Sequence, residues 1–82
     1  PLTRTKAGMR LVIRRIHEFA EDDENVLVFL EENHIEPGQE ITVEEVLDFN
    51  QTVKVLVLGR EVSLGFAVAR YVYGEPLPQT PE

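Results

Sequence analysis

Five carboxylates crowd together between residues 18 and 24: Glu18, Glu21, Asp22, Asp23 and Glu24. Ionised carboxylates are hard oxygen donors, and a cluster of them suits divalent ions such as Mn²⁺ or Fe²⁺. Asp23, Glu24 and Glu21 are therefore the candidate metal ligands. The same residues have a simpler use. Asp22 or Asp23 can cap a helix beginning at Glu24 by accepting a bond from a free backbone N–H. Acids at that end also complement the positive pole of the helix dipole. Two histidines complete the set, His17 at a strand end and His34 at a helix end. A closed metal site takes three or four ligands, so both would have to converge with carboxylates. Otherwise each is a surface histidine.

Other chemistry is sparse. The absence of cysteine rules out disulfides, thiolate metal sites and thiol nucleophiles. Ser63 has no histidine and acid at suggestive spacing, and a nucleophile needs an oriented base. Gly59, Gly65 and Gly74 fall in separate turns and form no phosphate-binding loop. Nothing in this pattern builds an enzyme.

The elements around these residues follow from periodicity. Gly8 opens a first strand over residues 9–16. Met9, Leu11 and Ile13 share one face, Val12 and Ile16 the other, so a bulge or coil is expected near Arg14. Val26, Leu27 and Leu30 recur at helical spacing behind the acidic segment. Asn33 and His34 end that helix, with Asn33 the residue expected in the left-handed conformation. Ile35 then enters the core. Pro37-Gly38 forces a turn, because proline presets φ at the second position and glycine accepts positive φ at the third.

A second strand is expected over residues 40–49, with Val46 out of step after Ile41 and Val43, again the mark of a bulge. Asn50-Gln51 is a hairpin turn. Val53, Val55 and Val57 alternate cleanly with Lys54 and Leu56. Leu58-Gly59-Arg60 turns into a fourth strand carrying Val62 and Leu64. Residues 65–69 form one helical turn, and residues 71–73 a last strand. The fold expected is mainly β: a small five-stranded SH3-like barrel with one short helix. The domain is expected to span residues 1–74, followed by a disordered proline-rich tail over 75–82.

Composition narrows the partners. The chain has 82 residues, enough for one domain, and a net charge of −7. That charge argues against nucleic-acid binding by this domain alone, since phosphate affinity needs a basic surface. Its distribution is uneven: every acid lies at or after Glu18, and five of the eight basic residues precede His17. Arg10, Arg14 and Arg15 are expected on an edge strand, where charge discourages edge pairing. Phe and Tyr are few, which leaves no obvious aromatic groove. No apolar run approaches the length of a membrane span, and no signal-peptide pattern opens the chain. A cytoplasmic location is the expectation. The missing initial methionine suggests a domain taken from a longer chain.

The order Leu2, Gly8, Val12, Ile16, Leu27, Leu30, Ile35, Pro37-Gly38, Val43, Val53-Val55-Val57, Gly59, Leu64, Ala69 and Val72 resembles the FeoA-like domain from Leu2 to about Tyr73. Two contexts carry that domain: the small ferrous-iron-uptake protein FeoA, and the C-terminal domain of the diphtheria-toxin-repressor family. Residues 60–65 and 22–27 look more like the repressors. The resemblance implies a regulatory or interaction domain of an iron- or manganese-dependent transcriptional repressor, with Fe²⁺ or Mn²⁺ in the parent protein. The isolated domain need hold none. Its partners would be the DNA-binding and dimerisation domains of the same regulator, which could itself be a homodimer. Some members donate a Glu and a Gln, three residues apart at the start of the helix, to an ancillary metal site. The matching positions are Asp23, which can ligate, and Val26, which cannot. Some members also bind a proline-rich segment of their own linker. The alternative is a free-standing FeoA-type adaptor that contacts the transporter FeoB.

Overall fold

The computed structural model describes residues 1–17 and 23–78. The chain opens with a single 3₁₀ turn, Leu2–Arg4, followed by β1 (Arg10–Ile16), α1 (Glu24–Glu32), β2 (Glu40–Leu47), β3 (Thr52–Val57), β4 (Arg60–Gly65), the short α2 (Phe66–Ala69) and β5 (Val72–Pro76). The five strands form one antiparallel sheet in the order β4-β3-β2-β1-β5. The sheet is SH3-like but not closed, with β4 and β5 as its edges.

Both expected bulges are present. Against β5, β1 slips register between Ile13 and Arg15. Against β3, β2 slips between Val43 and Glu45. Each extra residue bends its strand and increases the local twist. The bending lets a single sheet wrap around its own core. That core is almost wholly aliphatic: Leu11, Ile13, Ile41, Val43, Val53, Val55, Val57, Val62, Leu64 and Val72 from the strands, joined by Leu2, Leu30, Ile35 and Ala69.

The turns obey local stereochemistry. Gly38 has φ of 93°, and Gln39 donates its N–H to the Glu36 carbonyl at 3.1 Å. This is the turn that Pro37-Gly38 predicts. At the end of α1, however, His34 rather than Asn33 takes the left-handed conformation, with φ of 58°. Asn33 stays on the negative side and its side-chain amide donates to the Phe29 carbonyl at 2.8 Å. The Ile35 N–H then reaches Leu30 O and the His34 N–H reaches Glu31 O. Those two bonds make a Schellman end, whose hydrophobic partners are Leu30 and Ile35.

Two strands end away from the expected positions, and a third lies elsewhere in the sheet. β2 stops at Leu47, and Phe49 lies in the turn, 84% exposed. β5 continues through Gly74 to Pro76, and the Leu77 N–H donates to the Arg10 carbonyl. A proline is tolerated there because β5 pairs only with β1, on a sheet edge. The expected tail thus begins inside a strand, and residues 79–82 lie outside the described residues. Finally, β1 is not an edge strand; it sits between β2 and β5.

The β3–β4 hairpin has two loop residues, Leu58 and Gly59, both at positive φ (50° and 77°). Type I′ turns require this at both positions, and Asn-Gly satisfies it best. Leucine there carries a steric penalty of roughly 1 kcal/mol and is 63% exposed, so packing returns little. Leu58→Asn is expected to raise stability by about 1 kcal/mol. A higher urea midpoint at unchanged slope would register it.

Candidate functional site

Asp23 is the N-cap of α1. Its Oδ1 accepts from the Asn25 N–H at 3.0 Å and from the Val26 N–H at 3.4 Å. Glu24 follows in the first turn, and both side chains are exposed. Glu21, the third candidate ligand, lies outside the described residues, as do Glu18 and Asp22. Val26, at the second ancillary position, offers no donor. Among the described residues, no three His, Asp or Glu side chains come together as a metal-holding group. His17 closes β1 and His34 ends α1, and neither joins the Asp23–Glu24 pair in such a group. The described donors therefore amount to two exposed carboxylates. They fit a supplementary contact to a hard divalent ion, not a closed shell.

Capping and ligation can be separated by mutation. Asp23→Ala removes both and is expected to cost about 1 kcal/mol of stability. Asp23→Asn keeps a capping oxygen, removes the charge, and is expected to stay within about 0.5 kcal/mol of the parent. Paired urea titrations read the difference. Equal losses for the two variants would mean that the charge, not the cap, stabilises the helix.

Beside this acidic end runs an apolar groove of about 270 Å³ between α1 and the β4–α2 corner, lined by Val26, Phe29, Leu64 and Val68. Sequence reasoning missed it, because it sorts apolar residues into core and surface and does not see a gap between two elements.

A second groove, of about 460 Å³, lies at the opposite end of β5 from the tail. Arg4, His17, Arg70, Tyr71 and Tyr73 line it. The Arg15 guanidinium sits over the Tyr73 ring at 4.3 Å, and that of Arg70 over Tyr71 at 4.7 Å. Arg70 also donates to the Tyr71 hydroxyl at 2.6 Å. His17 lies 5.9 Å from the Tyr71 ring and 6.4 Å from that of Tyr73, and its N–H bonds to the Tyr71 carbonyl. The pKa of the Pro1 α-amino group is lowered from its ordinary range by partial burial, then by the charges of Arg4 and Arg15. Few aromatics were expected to leave no aromatic groove; instead both tyrosines of the chain are in this one.

The expected arginine edge dissolves into different roles. Arg10 pairs with Glu40 at 3.9 Å and Arg14 with Glu75 at 2.7 Å, both in solvent. Only Arg15 turns to the tyrosines.

A bent, open five-stranded antiparallel sheet with one short helix defines a small SH3-like domain. The family model described as "FeoA domain" matches residues 1–76, and the chain belongs to the FeoA domain family. Comparison with curated proteins by sequence gives no match. Solved structures resemble it over nearly its whole length. ScaR with bound Zn²⁺ does so at TM-score 0.78 and 26% identity, over 93% of this chain and 36% of the ScaR chain. The IdeR of T. acidophilum does so at TM-score 0.77 and 28% identity, over 90% and 32% respectively. The iron uptake regulatory protein FeoA matches at TM-score 0.77 over 94% of this chain and 95% of its own. At 22% identity, that last likeness concerns the fold alone. The chain spans about a third of the length of the ScaR and IdeR chains. Among the described residues, no helix is long and apolar enough to cross a membrane.

Proposed function

We propose that this chain is the regulatory domain of an iron- or manganese-dependent transcriptional repressor, and that it supports metal-responsive DNA binding by other domains of the same protein. The observation that carries this reading is the partial coverage. The domain corresponds to about a third of metal-regulator chains at 26–28% identity, which leaves room for DNA-binding and dimerisation units. In this role the domain does not touch DNA, in keeping with its net charge of −7. Asp23, with Glu24 and Glu21, adds carboxylate to a Mn²⁺ or Fe²⁺ site completed elsewhere in the protein. The parent works in the cytoplasm, as a homodimer.

Anaerobic calorimetry with Mn²⁺ and Fe²⁺ tests the metal role. The 82-residue chain is expected to bind neither tightly. The full-length regulator is expected to bind, and to lose affinity in both Asp23→Ala and Asp23→Asn. Unchanged metal affinity in those variants would remove the ligand role.

A second reading, a free-standing adaptor for ferrous iron transport through FeoB, draws on the 95% coverage of the FeoA chain. The reading frame separates the two. An upstream winged helix supports the repressor; a frame bounded by this domain supports the adaptor.

A further inference from the structure

We propose that the arginine–tyrosine groove at the β1–β5 end is a docking site for an acidic segment of a partner protein. The inference does not depend on which of the two cellular roles the domain serves.

The argument begins with charge pairing. Among the described residues, Arg10, Arg14 and Lys54 each have a carboxylate within 4 Å. Among the described residues, Arg4, Arg15 and Arg70 have none; nor do Lys6 and Arg60, but these do not line the groove. The three come from three separate elements: the 3₁₀ turn, β1 and the end of α2. Among the described residues, the fold thus gathers three cations at this end with no carboxylate in ion-pair reach; Glu18, Glu21 and Asp22, next in sequence after His17, lie outside the described residues. Two of the guanidiniums also sit over tyrosine rings, at 4.3 Å and 4.7 Å from the ring centres. The ring contacts restrain both side chains; Arg70 spends one donor on the Tyr71 hydroxyl, and the remaining N–H groups suit a planar acceptor such as a carboxylate.

Charge complementarity also selects the class of ligand. The groove is a local positive spot on a strongly negative protein. Screening confines charge interactions to about 8–10 Å at physiological salt. A short acidic segment places a few carboxylates inside that range. A nucleic-acid strand or an anionic bilayer extends far past it and meets the acids of the remaining surface. The groove therefore suits a protein segment rich in Asp and Glu rather than a long polyanion.

The domain supplies its own reporter. It has no tryptophan and two tyrosines, both in the groove. Intrinsic tyrosine fluorescence of the 82-residue chain is followed while a synthetic Asp/Glu-rich octapeptide lacking aromatics is added. A saturable change at low salt is expected, weakened as salt rises. Arg15→Glu and Arg70→Glu are each expected to lower affinity about tenfold, at matched circular dichroism spectra. Arg60→Glu, which makes the same charge change at the β3–β4 turn, is expected to lower it much less. Arg15→Lys keeps the charge but loses the planar fork, and guards against misfolding of the reversal variants; it is expected to bind more weakly than the parent and more tightly than Arg15→Glu. No response to the peptide overturns the proposal. So does an equal loss in Arg60→Glu, which would reduce the effect to net charge. Tighter binding of single-stranded DNA or of phosphatidylserine vesicles than of the peptide overturns it as well, because the ligand class would then be wrong.

Discussion

Leu30→Ala is expected to destabilise the domain by about 3 kcal/mol and to release α1 from the sheet. A domain of this size has roughly 4–12 kcal/mol of stability in total, so the loss is a large fraction. The magnitude follows from position. Leu30 is the one residue of α1 that is fully buried, at 0% exposure. Val26 and Phe29 pack against the core only in part. A groove opens on each side of the helix, one toward β4 and α2, the other between Leu27, Leu30, Ile16 and Ile35. Removing the anchor leaves a cavity that neighbours fill poorly, which places the cost in the usual Leu→Ala range. The same change takes the partner from Ile35 in the Schellman end. Urea unfolding followed by far-ultraviolet circular dichroism measures it, with exposed Val28→Ala as the control, expected within about 0.5 kcal/mol. Equal effects at Leu30 and Val28 would contradict the packing seen here.

Leu2→Ala is expected to cost nearly as much, about 2–3 kcal/mol. Leu2 is completely buried although it belongs to a three-residue turn near the start of the chain. That turn packs against α2 and β5, so Leu2 pins together the elements that carry Arg4, Arg70 and the tyrosines. The variant should therefore change tyrosine emission in the folded state as well as the unfolding midpoint. A lower midpoint with unaltered emission would limit Leu2 to the core and separate it from the groove.

The sheet was legible in the sequence where side chains alternate or break step. Val53, Val55 and Val57 mark β3, and the misfit of Ile16 and Val46 marks both bulges. The Pro37-Gly38 turn was legible because two residues with restricted or special φ stand side by side. Leu2–Arg4 was not, since three residues cannot display a period. The choice of His34 over Asn33 as the left-handed residue was hidden too. It depends on where the Schellman bonds fall, and the Asn33 amide is engaged with Phe29. Strand order was the costliest blind spot. A row of arginines fits an edge strand by composition, yet β1 is interior, and its exposed Arg10 and Arg14 meet Glu40 and Glu75 on the neighbouring strands. At the site, Asp23 was legible as a cap, which is the role its hydrogen bonds display. The basic groove was illegible because Arg4, Arg15 and Arg70 are brought together by topology, not by spacing.

The pairing of β1 with β5 bears on synthesis as well as on structure. Arg14 meets Glu75 across 61 positions of sequence, while β2, β3 and β4 are joined by short hairpins. During translation the three-stranded hairpin unit can form soon after it emerges. β1, though made first, has one neighbour missing until the last strand is out of the ribosome. Closing that long loop is the step with the largest entropic demand. A nascent chain stalled before Val72 would hold Leu11 and Ile13 without their final cover, making it the species most in need of a chaperone.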